Sequence, residues 1–173
     1  MGKRSDFERI DKDAYMTTDK RAVTPLINNL GFIMPFKFGD VTYYEPCAGN
    51  GDLIRLLPYK CVGFSDYELD ARNTRYNTTA GCFITNPPWS REYLHPIIEN
   101  LRVQLPTWLL FDADWMHTQQ AAPYMVYCKT IISVGRVRWI TGTKYDGKDN
   151  CAWYLFGRDE TKCTFIPRTK RAS

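Results

Sequence analysis

Six short apolar runs recur along the chain, and they constrain its fold more than any other feature. They are rich in β-branched and aromatic residues and are bounded by Gly, Pro, Asn or Asp, which is typical of β-strands. Helical segments are predicted between them, near residues 18–30, 52–57, 90–104 and 116–127. Strands that alternate with helices predict a parallel sheet with helices on both faces. The six runs are VTYY (41–44), CVGF (61–64), CFIT (82–85), TWLLF (107–111), IISVGRVRWI (131–140) and CAWYLF (151–156).

The two ends of this pattern carry additional signals. The connection TGTKYDGKDN between the last two runs has no room for a crossover helix, so these strands are predicted to pair as an antiparallel hairpin at the sheet edge. The first helix has Asp19 near its start and Gly31 after its end, and Pro25 is expected to kink it or displace its start. The sequence therefore predicts an α/β fold with a mixed, doubly wound sheet.

Length and composition indicate one globular domain over residues 1–173. The 173 residues are 44% apolar and 24% charged, close to the average of soluble domains. No apolar stretch reaches the roughly 20 residues that span a bilayer, and no apolar segment follows the charged N-terminus, so we expect a cytoplasmic protein without a membrane partner. The net charge of +4, with basic clusters at both ends, permits a polyanionic partner without requiring one.

The cysteines and histidines do not indicate a metal centre. None of the six cysteines has CxxC spacing, and most lie in apolar runs, which favours reduced, buried thiols. His95 and His117 are the only histidines, and neither has a partner at ligand spacing. We expect no protein-bound metal.

A glycine loop follows the first predicted strand. The segment EPCAGNGDL (45–53) places Gly49 and Gly51 between a strand and a helix, where the absence of a Cβ lets the backbone approach a ligand. Glu45 stands at the tip of this strand, and Asp66 follows the next one. In a doubly wound nucleotide site, an acid at the end of the second strand, where Asp66 stands, accepts hydrogen bonds from the ribose hydroxyls. Together these residues predict a nucleotide-type site.

A second motif, Asn86-Pro87-Pro88-Trp89, stands at the end of the third predicted strand. The two prolines fix the backbone, so the Asn86 side chain and the Pro87 carbonyl are presented as two rigid acceptors beside an aromatic ring. Two acceptors that grip the hydrogens of a planar amine favour its pyramidal, more nucleophilic form. A diproline that only ends a strand is the alternative interpretation.

The order EPCAGNG, SD and TNPPW resembles the S-adenosylmethionine-dependent amino-methyltransferases, particularly the adenine-specific DNA methyltransferases encoded by phages. The segment AYMTT (14–18) and the terminal hairpin extend the resemblance over about residues 14–156. It implies a class I methyltransferase fold, Rossmann-like, with a seven-stranded mixed sheet, and S-adenosylmethionine as cofactor. It also implies catalysis by Asn86, Pro87, Pro88 and Trp89, and a cofactor site formed by Tyr15, Thr17, Glu45, Pro46, Ala48, Gly49, Gly51, Asp66 and Asn86.

Two departures from the family bear on these roles. The acid that contacts the cofactor adenine has one weak candidate here, Asp70, because the segment ELDARNTRYNTTAG is short. A target-recognition domain is not expected within the chain. The resemblance therefore implies methyl transfer to the 6-amino group of adenine in DNA with low sequence specificity, by a monomer or a homodimer.

Four further residues are candidates for substrate binding. Trp115 and Trp139 are either walls of a pocket for a flipped base or parts of the core, with the core favoured. Arg136 and Arg138 either face phosphate or are charges that protect an edge strand from pairing. Three other functions stay open: transfer to RNA adenine or guanine, transfer to protein glutamine, and a catalytically silent module that binds the cofactor. Cys47 lies in the glycine loop, so no covalent enzyme intermediate is expected.

Overall fold

The computed structural model describes residues 16–34, 40–140, 142 and 145–169. Within these ranges, seven strands form one sheet in the order β2-β1-β3-β4-β6-β5-β7. The strands are β1 (Thr42–Glu45), β2 (Lys60–Phe64), β3 (Cys82–Thr85), β4 (Thr107–Asp112), β5 (Cys128–Gly135), β6 (Cys151–Phe156) and β7 (Thr164–Ile166). The helices are α1 (Lys20–Ile33), α2 (Asp52–Leu56), α3 (Arg91–Arg102) and α4 (Ala122–Met125), with 3-10 turns at Ala113–His117 and Gln119–Ala121.

Strand direction confirms the predicted mixed sheet. β1 pairs in parallel with β2 and β3, and β3 with β4. β6 is antiparallel to both β4 and β5, and β5 is parallel to β7. The carboxyl ends of all strands except β6 therefore lie at one edge of the sheet.

Helices cover both faces of the sheet, as predicted. Alternate residues of β4 point to opposite faces: Trp108 and Leu110 pack in the cluster that contains α1 and α2, whereas Leu109 and Phe111 pack in the cluster that contains α3. Asp19 caps α1 by accepting a hydrogen bond from the Arg21 N–H at 2.9 Å. The amphipathic faces of α1 and α3 thus fix the sheet between two apolar layers.

Four predictions about the elements are wrong. α1 continues through Pro25 and Gly31 to Ile33, so Gly31 lies within the helix instead of after its end. The β5–β6 hairpin is antiparallel, but it does not lie at the edge, because β7 pairs with β5 outside it. β5 ends at Gly135, so Arg136 and Arg138 follow the strand instead of lying in it. The helix predicted over 116–127 is reduced to two 3-10 turns and the four-residue α4, whose first turn contains Pro123.

The connection from β2 to β3 is unusual for parallel strands. Residues 65–81 pass from the outer strand β2 across β1 to β3 without forming a helix. Asn100 of α3 anchors this segment by donating to the carbonyls of Ala71 and Thr74 at 3.0 and 2.8 Å. The segment therefore lies against α3 on that helix's side of the sheet.

Candidate active site

A cleft of about 260 Å³ opens at the carboxyl edge of the sheet, between the loops that follow β1, β2 and β3. Doubly wound α/β sheets bind ligands in this position, because the loops diverge where the strand order reverses. The predicted cofactor residues that line the cleft are Thr17, Glu45, Pro46, Ala48, Gly49, Asp66, Asp70 and Asn86. Gly51 does not line it, and Tyr15 lies outside the described residues.

The glycine loop has the backbone conformation that its sequence predicts. Gly49 and Gly51 have φ angles of +50° and +73°, in the left-handed region that favours glycine. Gly51 forms the N-terminal cap of α2, which explains why it supports the loop without facing the cleft. A Cβ on Gly49 would lie 3.0 Å from the Met16 sulfur, so the missing side chain gives Met16 its position at the rim.

Two backbone hydrogen bonds join this loop to the end of β2. The Ala48 N–H donates to the Ser65 carbonyl, and the Ser65 N–H donates to the Glu45 carbonyl, each at 2.9 Å. Asp66 follows directly and is half-buried at the cleft. The acids at the ends of β1 and β2 are therefore held at a fixed separation across the cleft.

Glu45 is the most perturbed acid of the cleft. Its side chain is 1% exposed, and its Oε2 has no hydrogen-bond partner among the described residues. Burial, followed by the charges of Asp66 and Asp52, raises the pKa of Glu45 to about 8. A buried polar atom without a partner costs free energy, so this oxygen indicates a ligand that donates a hydrogen bond or brings positive charge.

Asp70 lines the cleft, but its carboxylate is already bound. Arg72 donates to it from the backbone N–H and from Nε and Nη2, at 2.8 to 3.1 Å, and this pairing lowers the pKa of Asp70. The Arg72 guanidinium also lies over the Tyr93 ring at 4.7 Å. The predicted adenine contact is therefore part of an outer wall, and its other members, Arg72 and Tyr93, carry no motif that would have revealed them.

Asn86 is fixed by two side chains. Its Nδ2 donates to the Thr17 Oγ1 at 3.1 Å, and its Oδ1 accepts a hydrogen bond from the Trp89 Nε1 at 2.9 Å. The amide oxygen is thereby oriented toward the indole. Pro88 lines the cleft beside Asn86, whereas Pro87 is buried behind it. Asn86 and Pro88 are thus the residues of the motif that line the cleft, and Trp89 contacts Asn86 without lining it.

The tryptophans predicted to bind substrate separate into two locations. Trp139 meets Trp89 edge to face, with ring centroids 5.3 Å apart, so it extends the aromatic surface next to Asn86. Trp115 is 3% exposed, packs against Phe111 and donates its indole N–H to His95 at 3.1 Å. Trp115 therefore belongs to the core on the α3 face and does not wall the site.

Arg136 and Arg138 are exposed at the same sheet edge. They follow β5, and because β7 covers that strand, protection of an exposed edge does not explain them. Asp19 accepts a hydrogen bond from the Arg138 backbone N–H at 2.9 Å. The segment that carries both arginines is therefore tied to the start of α1.

Cys47 lines the cleft as a neutral thiol. Burial raises its pKa to about 12, so the thiolate that a nucleophile requires is not populated near neutral pH. The six cysteines are free thiols. Among the described residues, no three His, Cys, Asp or Glu side chains are grouped as a metal site would require. No helix in these ranges is long and apolar enough to cross a bilayer.

Comparison with known proteins identifies the fold. Neither the protein-family models nor the curated proteins give a match to this sequence. The solved structures that are similar include a protein from Listeria monocytogenes described as a candidate class I S-adenosylmethionine-dependent methyltransferase, with a TM-score of 0.56 and 8% identity over 92% of this chain and 67% of that one.

Two further structures give the same result. The methyltransferase subunit of a type I restriction-modification system from Streptococcus thermophilus has a TM-score of 0.60 and 12% identity over 91% of this chain and 48% of its own. A dimethyladenosine transferase from Plasmodium falciparum has a TM-score of 0.50 and 15% identity over 78% of this chain and 62% of its own. The chain thus spans between about half and two thirds of these proteins, and it has the class I methyltransferase fold, Rossmann-like, with a mixed seven-stranded sheet.

Proposed function

We propose that this protein transfers a methyl group from S-adenosylmethionine to the exocyclic 6-amino group of adenine in DNA. The observation that carries the proposal is the placement of Asn86, to which Trp89 donates a hydrogen bond, in a cleft that also holds buried Glu45 with its unpartnered oxygen. The proposed cofactor residues and the proposed amine-binding motif thus lie together at one edge of a sheet with the methyltransferase fold.

The cleft suits S-adenosylmethionine in charge. The cofactor carries an ammonium and a sulfonium group, and the acids Glu45, Asp52 and Asp66 all face the cleft. In this assignment Glu45 and the loop around Ala48 and Gly49 hold the methionine and ribose part, and Asp66 accepts from the ribose hydroxyls. Thr17 would contact the methionine end, as would Tyr15. When bound, the cofactor would supply the methyl group of its sulfonium sulfur: the S–C bond breaks as the N–C bond forms, leaving S-adenosylhomocysteine, and the amine releases one proton to solvent.

Asn86 would act on the acceptor amine. The lone pair of an adenine amine is delocalised into the ring, so the nitrogen is a poor nucleophile until its hydrogens are drawn out of the ring plane. The Asn86 Oδ1, on a residue that lines the cleft, is the acceptor proposed for one hydrogen, and the carbonyl of buried Pro87 is the acceptor proposed for the other. Together they would stabilise the pyramidal nitrogen of the transition state. The contacts with Thr17 and Trp89 hold the amide in one orientation and so reduce the entropic cost of the step.

Trp89 and Trp139 provide the surface for the base. A base in duplex DNA is inaccessible to such a site until it leaves the stack, and a flipped base is stabilised by stacking on aromatic side chains. Trp89 is half-buried beside Asn86, and Trp139 supports it edge to face. Low sequence specificity is part of the proposal, and methylation confined to one short motif would contradict that part.

The test is transfer from radiolabelled S-adenosylmethionine to duplex DNA, single-stranded DNA, RNA and protein, with identification of the product by nucleoside mass spectrometry. Asn86→Ala is the active-site variant, and Asn28→Ala, at an exposed position of α1, is its matched control. We expect 6-methyladenine in DNA with wild type and with the control, and a loss of at least about 100-fold with Asn86→Ala. If the radiolabelled methyl group is found in RNA or in protein glutamine and not in DNA, the proposal that DNA is the acceptor is wrong.

A further inference from the structure

Three arginines lie at the sheet edge that carries the cleft. β5 and β7 run in the same direction as β3, so the residues that follow these three strands emerge at one edge. Asn86 follows β3, Arg136 and Arg138 follow β5, and Arg168 follows β7. We infer that Arg136, Arg138 and Arg168 form a phosphate-binding surface, the arginine strip, for the nucleic-acid backbone next to the methylated base. This inference rests on the proposed function.

The segment after β5 is anchored so that its arginines point outward. Val137 is 1% exposed, whereas Arg136 and Arg138 on either side of it are exposed. The Val137 carbonyl accepts a hydrogen bond from the Gly147 N–H at 2.8 Å, in addition to the bond between the Arg138 N–H and Asp19. An extended segment with a buried central residue presents its two neighbours on the same, outer side.

Arg168 joins this surface from a different part of the chain. A Cβ placed on Gly135 would lie 2.5 Å from the Arg168 Nη1, so the guanidinium packs directly on the glycine backbone next to Arg136. Gly135 also has a φ of +90°, a conformation that favours glycine. The glycine therefore serves both the turn at the end of β5 and the close approach of the third arginine.

These guanidinium groups are available for a ligand. The ion pairs found among the described residues involve Arg21, Arg55, Arg72 and Arg102, and not the arginine strip. Of the acids near the strip, Asp19 and Asp146 are held by Arg21, with Nη2–oxygen distances of 2.6 Å, whereas Asp112 lies two strands away at the end of β4. Arg21 therefore offsets the negative charges of Asp19 and Asp146, which would otherwise compete for the strip.

A continuous path leads from the strip to the proposed amine site. Trp139 follows Arg138 in sequence and contacts Trp89, which is hydrogen-bonded to Asn86. Guanidinium groups bind phosphate in a bidentate manner, and cationic residues beside stacking aromatic rings are typical of nucleic-acid binding surfaces. This arrangement favours a nucleic acid over a protein glutamine as the acceptor, since a glutamine side chain requires no row of cations.

The experiment measures binding of a fluorescently labelled 20-nucleotide duplex by anisotropy at several salt concentrations. The test variant is R136Q/R138Q/R168Q. The control is K60Q/K129Q/K162Q, which removes the same charge from exposed lysines at the amino ends of β2, β5 and β7, on the opposite edge of the sheet. Calorimetric titration with S-adenosylmethionine checks that both variants keep an intact cleft.

If each arginine contacts one phosphate, the plot of the logarithm of the association constant against the logarithm of the salt concentration is less steep in the test variant by about 2.7, at about 0.9 per contact. Between about 50 and 200 mM salt the affinity of wild type then falls about 40-fold more than that of the variant. We expect the control to keep the wild-type slope. Equal slopes in the two variants, or no duplex binding by wild type, would overturn the inference.

The two proposals fail separately. A selective change of slope without methylation of any acceptor would retain the arginine strip and reject the proposed reaction. DNA methylation with an unchanged slope in the test variant would reject the strip alone.

Discussion

Glu45→Gln tests the electrostatics of the cleft, because it replaces a buried acid by a neutral side chain of the same shape. Glu45 has a pKa of about 8 in the folded protein against an ordinary value of 4.5. The group therefore stays protonated in the native state at a pH where the unfolded chain has released its proton. A raised acid pKa means that the stability of wild type is greatest below pH 4.5 and falls as the pH rises through 8.

The magnitude follows from this difference in pKa. At about 1.4 kcal/mol per pH unit, wild type loses about 5 kcal/mol relative to Glu45→Gln between the two pKa values. Solvent screening does not reduce this figure much, because the Glu45 side chain is 1% exposed. We therefore expect the two proteins to have similar free energies of unfolding near pH 4.5 and the variant to be more stable by several kcal/mol above pH 8.

Urea unfolding at a series of pH values measures the difference, since urea leaves the ionic strength unchanged. Glu160→Gln, at an exposed position, is the control and is expected to follow wild type at every pH. A constant difference between Glu45→Gln and wild type across the range would refute the reasoning. The same account predicts that S-adenosylmethionine binds wild type more tightly as the pH rises from about 6 to 8, because an ionised Glu45 attracts its positive charge, and that Glu45→Gln lacks this dependence.

Three further outcomes are expected. Gly51→Ala is expected to lower the free energy of unfolding in urea by about 1 kcal/mol, because the φ of +73° at this position is strained for alanine, although the added Cβ would meet only ordinary contacts. An unchanged free energy of unfolding would contradict the assigned backbone conformation. Trp115→Phe is expected to lower stability by about 1–3 kcal/mol, through loss of the hydrogen bond to His95 and of packing, and to leave DNA affinity unchanged. Trp139→Ala is expected to lower DNA affinity. The reverse pattern in anisotropy would place the base surface elsewhere. Cys163 is exposed, and its hydrogen bond with Cys128 lowers the pKa of the Cys163 thiol. Mass-spectrometric mapping is therefore expected to find Cys163 alkylated before the other five cysteines. Slower labelling of Cys163 than of buried Cys82 would be inconsistent with the fold.

The inner part of the site was predictable because its signals are local in sequence. The glycine loop at 49–51 needs left-handed backbone wherever it occurs, and the carboxyl ends of parallel strands share one edge in any doubly wound sheet. The sequence therefore predicted that Glu45, Asp66 and Asn86 converge, and these three residues line the cleft.

The outer parts depend on contacts between distant residues. β7 has only three residues, which are exposed or half-exposed, and it becomes a strand by pairing with β5. Its residues Thr, Phe and Ile each favour strands, but a run of three is too short to predict one, so the sequence alone places the hairpin at the edge. The wall made by Arg72 and Tyr93 depends likewise on a contact across 21 positions, which no spacing rule predicts.

The most direct test of the central claim uses S-adenosylmethionine whose methyl group carries three deuterium atoms. After incubation with unmethylated duplex DNA, the DNA is digested to nucleosides, and the mass of the methylated product is measured. The account predicts 6-methyladenine carrying the deuterated methyl group with wild type and its absence with Asn86→Ala. If wild type binds the cofactor and the duplex but does not label adenine, the account is contradicted.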